Sequence, residues 1–139
     1  INFFSILNLM QIFSKEIIKK KTRGSIVNIA SIVGQIGFNQ LSLYASSKGA
    51  LISLTKRFAT EMAKRNIRAN IISPGFIKTS YYNKFKKKKK LYKWTLNRIP
   101  LKRWGEPGEV SKLIEFLISD NSRYINGENL NIDGGWLSS

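Results

Sequence analysis

Residues 24–48 read GSIVNIASIVGQIGFNQLSLYASSK. The apolar run Ser25 to Ala30 has the length and β-branched content of a buried strand. It delivers Ser31 to the strand's carboxyl end. A short loop punctuated by Gly34 and Gly37 follows, and then a helical pattern that carries Tyr44 and Lys48. Residues four apart project from one helix face, with Cβ atoms roughly 6 Å apart. A free phenol titrates near ~10 and is a poor acid or base at neutral pH. A neighbouring ammonium favours the phenolate, so Lys48 is expected to draw Tyr44 toward the working range of a general acid/base. Ser31 would then hydrogen-bond a substrate oxygen beside the phenol. The pattern describes a site that moves a proton on or off a carbonyl or alcohol oxygen.

Tyr-x-x-x-Lys is a cheap pattern in a lysine-rich chain, and it recurs at Tyr82/Lys86. Context separates the two copies. Tyr44 follows a strand ending in serine and opens an amphipathic helix, whereas Tyr82 stands beside a lysine run. The first copy is the chemical one.

Ser31, the run Tyr44-Ala45-Ser46-Ser47-Lys48, and the later run Asn70-Ile71-Ile72-Ser73-Pro74-Gly75 together resemble the classical short-chain dehydrogenase/reductase family. The order and separation of these motifs match across essentially the whole chain. The resemblance implies that Tyr44 is the general acid/base. Lys48 would assist it and hold the nicotinamide ribose, and Ser31 would position the substrate oxygen. It implies that Asn2, on the preceding helix, holds a water in the proton relay. The loop after the second strand (Pro74, Gly75, Ile77 and Thr79) would contact the nicotinamide carboxamide. The cofactor is then NAD or NADP, with NADP somewhat favoured. The expected fold is α/β: a doubly wound, Rossmann-like parallel sheet. Helix–strand alternation without hairpins gives the same answer independently.

The 139 residues are enough for one domain with a buried core. There is no cysteine and no histidine, which removes disulfides, thiol chemistry and most zinc or iron sites. No apolar run approaches the ~20 residues of a membrane helix. A cytoplasmic protein with no membrane partner is expected. No G-x-G-x-x-G or G-x-x-x-G-x-G turn is present, though a nucleotide-binding α/β domain places one after its first strand. With Ile1 as the first residue, residues 1–139 are expected to form the carboxyl-terminal catalytic part of a single Rossmann-like domain. The amino-terminal cofactor-binding half would lie upstream, and the segment alone would be inactive; the alternative is a non-catalytic truncated remnant that keeps the site residues without the cofactor loop.

Net charge is +16, and eleven of the basic residues lie between Lys78 and Arg103, a stretch without Asp or Glu. A charge excess of that kind admits a nucleic-acid or anionic-membrane module built on Lys86 to Lys90. That reading explains the charge and ignores the site, so nucleic acid is disfavoured.

Along the chain, helices are expected over 2–21, 41–65 and 108–119, and strands over 25–30, 67–72 and 128–132. Leu51, Leu54, Phe58 and Met62 form the stripe of the second helix. From Ser80 to Ile99 no strand is legible. The Lys86 to Lys90 run is expected to be partly mobile, with Trp94, Leu96 and Ile99 packing back as one face. By resemblance this segment is the substrate lid. The Ser31-Ile32-Val33-Gly34 loop is similar to 3-oxoacyl-acyl-carrier-protein reductases of fatty-acid synthesis, and a basic lid suits an acidic carrier protein. The segments Lys93-Trp94, Arg98-Ile99-Pro100 and Arg103-Trp104-Gly105-Glu106-Pro107, with the ending Asp133-Gly134-Gly135-Trp136, are similar to sugar-acid dehydrogenases such as gluconate 5-dehydrogenases. The substrate is therefore a carbonyl compound, either free or carrier-bound, with the carrier-bound class first. The resemblance also implies a homo-oligomer, tetramer or dimer.

Overall fold

The computed structural model describes residues 3–139. Helix α1 (Phe4–Lys20) leads into strand β1 (Gly24–Ile29), helix α2 (Ser42–Met62) and strand β2 (Ile67–Pro74). Two short helices, α3 (Tyr82–Lys86) and α4 (Lys89–Arg98), precede α5 (Pro107–Ile118) and the last strand, β3 (Asn129–Ile132). The three strands are parallel in the order β1-β2-β3. Gly24 pairs with Ile67 and Ile29 with Ile72, and Ile71 to Pro74 run beside Asn129 to Ile132.

Side-chain alternation along a strand decides which helix covers which face. Ile26 and Ala69 are register partners, and both pack with Met10 of α1 and Leu54, Phe58 and Ala59 of α2. Ser25 and Arg68, one residue earlier, look the other way. Ser25 Oγ donates to the Leu117 carbonyl at 3.0 Å, and Arg68 Nη2 donates to that same carbonyl at 3.0 Å. Helix α5 therefore lies on the face opposite α1 and α2, and the sheet is wound on both sides. Because both faces are covered, β2 reads as a nearly continuous buried run, with Ile67, Ala69, Ile71 and Ile72 fully enclosed.

One buried polar contact ties three elements together. Asn28 on β1 donates from Nδ2 to Thr55 Oγ1 on α2 at 2.8 Å and to Met10 Sδ on α1 at 3.2 Å. Thr55 Oγ1 in turn donates to the Leu51 carbonyl. A buried amide without such partners is costly, so the contact fixes how both helices sit on β1.

Residues 80–99 form no strand, as expected. They fold into α3 and α4, with the lysine run divided between the end of one helix and the start of the other. The cause is a set of rings the local pattern does not reveal. Phe76, Tyr82, Phe85 and Tyr92 surround Trp104 with ring centroids 4.9–5.8 Å away. Trp104 Nε1 donates to the buried Thr95 Oγ1 at 2.9 Å. The lysines of the run stay exposed on the outer side. Ile99 is fully buried, as expected, and Leu96 packs with it, but Trp94 remains partly exposed against Phe38 and Trp136.

Helix α5 begins as its sequence suggests. Pro107 occupies the first turn, and Glu106 and Glu109 form a reciprocal capping box.

Candidate active site

The carboxyl ends of β1 and β2 open onto one hollow of about 500 Å³. Ser31, Tyr44 and Lys48 line it together with Pro74, Gly75, Ile77 and Thr79. Seven of the eight residues singled out from the sequence thus meet at one place. The eighth, Asn2, lies outside the described residues.

Two elements deliver the three polar side chains: the turn after β1 carries Ser31, and α2 carries both Tyr44 and Lys48. Ser31, in extended backbone just past β1, caps the short 3-10 turn Ile32–Gly34, and its Oγ accepts from Val33 N at 3.4 Å. As the acceptor there, the hydroxyl does not use its own proton in that contact. Tyr44 stands in the first turn of α2 and is 41% exposed. Lys48, one turn on, is half-buried; its Nζ lies 5.8 Å from the centroid of the Tyr44 ring and donates to the Ile29 carbonyl at 2.8 Å. Burial pushes the Lys48 ammonium below the usual lysine range.

The loop after β2 is seated by contact with β3. A Cβ on Gly75 would come within 2.9 Å of Asp133 Cα and Cβ. The glycine is therefore required by the approach of the β3 end, a reason independent of any flat ring that the loop receives.

The far wall of the hollow comes from residues that sequence reasoning did not assign to the site. Phe76, Tyr81, Phe85 and Trp104 come from the lid and its base, and Pro107, Val110 and Ser111 from the first turns of α5. The Arg103-Trp104-Gly105-Glu106-Pro107 turn was the one available signal. The second Tyr-x-x-x-Lys copy does other work. Tyr82 Oη and Tyr92 Oη are 3.1 Å apart, joining α3 to α4, and Lys86 Nζ lies 5.6 Å from the Tyr82 ring centroid.

Residues 1–137 match the family model described as Enoyl-(Acyl carrier protein) reductase. The chain is 43% identical over 135 residues to the 3-oxoacyl-[acyl-carrier-protein] reductase FabG of Thermotoga maritima, a match covering 97% of this chain and 54% of that protein. The chain belongs to the short-chain dehydrogenase/reductase family. Among solved short-chain dehydrogenase/reductase relatives, a 4-hydroxyisoleucine dehydrogenase complexed with NADH superposes with a TM-score of 0.96 at 40% identity, over 99% of this chain and 57% of that one. A gluconate 5-dehydrogenase from Burkholderia cenocepacia in complex with NADP and tartrate superposes with a TM-score of 0.94 at 30% identity, over 100% of this chain and 54% of that one. The chain spans about half the length of the relatives it matches.

Proposed function

We propose that this chain is the carboxyl-terminal catalytic portion of an NAD(P)-dependent oxidoreductase that interconverts a carbonyl and a secondary alcohol. The carrying observation is the meeting of Ser31, Tyr44 and Lys48 with the Pro74–Thr79 loop in one hollow at the carboxyl ends of parallel strands. Open α/β sheets bind ligands at that end.

The residues fit a nicotinamide and its ribose. Lys48 presents an ammonium at the rim, and the Pro74, Gly75, Ile77 and Thr79 loop supplies backbone and a hydroxyl beside it. A bound nicotinamide supplies or accepts the hydride. Ser31 Oγ donates to the substrate oxygen and orients it. Tyr44 Oη gives its proton to that oxygen in the reductive direction and takes it back in the oxidative one. Lys48, as a neighbouring cation, eases the charge that forms on Tyr44. Asn2 is assigned a water of the proton relay. NADP is placed ahead of NAD.

A 3-oxoacyl group on an acidic carrier protein is the preferred substrate. The likeness to the Thermotoga maritima reductase supports it, as do the exposed lysines of α3 and α4, which suit electrostatic docking. A sugar-acid substrate is the second reading, supported by the likeness to the gluconate 5-dehydrogenase. The family reading brings with it a cytoplasmic homo-oligomer. No helix among the described residues is long and apolar enough to cross a membrane.

The test is kinetic. The complete enzyme carrying Tyr44→Phe is assayed for NADPH oxidation with a 3-oxoacyl carrier thioester, and for gluconate oxidation. A loss of turnover by about 10²-fold or more with an unchanged fold is expected from removing a proton donor. An unchanged rate contradicts the proton-transfer assignment. The unsubstituted enzyme is assayed beside Tyr44→Phe, and the better of its two substrates separates the two readings.

A further inference from the structure

The turn that holds Ser31 rests directly on the turn of α2 that holds Lys48, and one glycine makes that contact possible. Ser31 caps the 3-10 turn Ile32–Gly34, and Gly34 N donates to the Ser31 carbonyl at 3.0 Å. A Cβ on Gly34 would lie 2.8 Å from Gly49 N, 2.8 Å from the Lys48 carbonyl carbon and 3.0 Å from Lys48 Cβ. The first two are backbone atoms of a helix, which cannot swing aside as a side-chain tip can. Helix α2 is pinned beneath them by Leu51 and Thr55, both fully buried. The part that yields to an added methyl group is the three-residue turn, and Ser31 moves with it through its hydrogen bond to Gly34.

Resting on the oxidoreductase reading above, we infer that Gly34 is a positioning residue. Its missing side chain sets the spacing between the Ser31 hydroxyl and the Tyr44–Lys48 pair. A second tie from Lys48 Nζ to the Ile29 carbonyl, two residues before Ser31, acts between the same two pieces of chain. The serine is thus registered against helix α2 on both sides of its position in the sequence. Gly37, three residues beyond Gly34 in the same loop, serves a different purpose, since nothing lies within 4 Å of a Cβ built there. The two glycines form a matched pair. Each alanine substitution makes the same change in backbone freedom, but only one meets an obstacle.

The experiment is a double-mutant cycle in the complete enzyme, reading kcat, the KM for the nucleotide and the thermal midpoint. Gly34→Ala is expected to cut kcat by about 10²-fold, the scale of a misplacement near 1 Å. Nucleotide KM should stay within about twofold, because the turn yields while Lys48, on a helix pinned by Leu51 and Thr55, and the Pro74–Thr79 loop keep their places. Gly37→Ala should leave kcat within about twofold, as an exposed loop substitution ordinarily does. In a Ser31→Ala background, Gly34→Ala should cost almost nothing more, because the group it displaces is already gone. Equal losses from Gly34→Ala with and without Ser31 would overturn the inference, as would a normal kcat in Gly34→Ala. If Gly34→Ala does not fold, Gly49→Ala takes its place in the cycle. Its Cβ meets the same turn from the helix side, 3.1 Å from the Gly34 carbonyl oxygen, and a smaller loss that vanishes in the Ser31→Ala background is expected. A loss that persists there overturns the inference equally. Tyr44→Phe is run in parallel. Normal turnover in Tyr44→Phe rejects the oxidoreductase reading itself, whereas an inactive Tyr44→Phe beside a normal Gly34→Ala rejects only the role of the glycine.

Discussion

Lys48 on helix α2 donates from Nζ to the carbonyl oxygen of Ile29, the last residue of β1, at 2.8 Å. The side chain bridges the two elements that deliver two other polar groups of the hollow: Tyr44 one helical turn before it, and Ser31 two residues past Ile29. A cation held by a backbone acceptor rather than by a carboxylate keeps its full field for whatever enters the hollow. It does so while partly desolvated, which is why its affinity for the proton is reduced.

Lys48→Met keeps the stem and removes the ammonium. In the complete enzyme nucleotide KM should rise by about tenfold, as expected for loss of one charge-assisted hydrogen bond. The folded state lowers the proton affinity of Lys48, so the ammonium costs stability at neutral pH, a cost that fades as pH climbs toward 10.5. The thermal midpoint of Lys48→Met at pH 7 should therefore not fall by more than a few degrees. Calorimetry beside steady-state kinetics checks both halves.

Glu109 gives an acid-limb prediction. Two hydrogen bonds from Arg103, at 2.8 and 2.7 Å, and one from Glu106 N hold its carboxyl at about 2, against an ordinary 4.5. A carboxyl depressed in the folded state lends stability above 4.5, and that stability is lost as pH falls from there toward 2. The thermal midpoint should drop through this window, and Glu109→Gln should make the drop shallower while lowering the plateau near pH 7. Parallel slopes for the two proteins would remove Glu109 from the account.

Thr55→Val is nearly isosteric and leaves the Asn28 amide without its closest oxygen partner in the core. It should cost about 1–3 kcal/mol of unfolding free energy in urea titration, the penalty for an unpaired buried polar group. A change below about 0.5 kcal/mol would mean that the Met10 sulfur alone satisfies Asn28.

Among the described residues β1 pairs only with β2, so its other edge presents unpaired backbone groups. On α1, Phe4, Leu9 and Ile12 are 72%, 65% and 60% exposed. Open edges beside apolar surface recruit further chains. Expressed by itself, the 139-residue chain should self-associate with rising concentration in light scattering. A monodisperse monomer that oxidises NADPH would refute this.

The meeting of Ser31, Tyr44 and Lys48 at one hollow was legible because its key spacing is local. Tyr44 and Lys48 share a helix face by their four-residue interval, and Ser31 and Pro74 mark the ends of two recognisable apolar runs. The far wall was not legible, because Phe85, Trp104 and Val110 reach the hollow only through packing between segments distant in sequence. No local period announces which rings of residues 76–104 will cluster. The lysine run reads as solvated and its lysines are exposed, but no local pattern shows that Phe85 and Tyr92 on either side anchor it through Trp104. Register was hidden as well, since nothing in either strand alone says that Gly24 meets Ile67.

Besides its ring contacts, the 80–99 segment is tied near both ends by backbone hydrogen bonds. Ile77 bridges Gly105 at its base, with Lys78 N donating to the Gly105 carbonyl and Gly105 N to that of Phe76, and Leu101 N donates to the Gly134 carbonyl beyond α4. Residues 80–99 accordingly behave as a cassette clipped between two riveted ends. Exchanging that cassette for one from a relative is therefore expected to change the wall that Tyr81 and Phe85 give the hollow, while Ser31, Tyr44 and Lys48 lie outside the exchanged stretch.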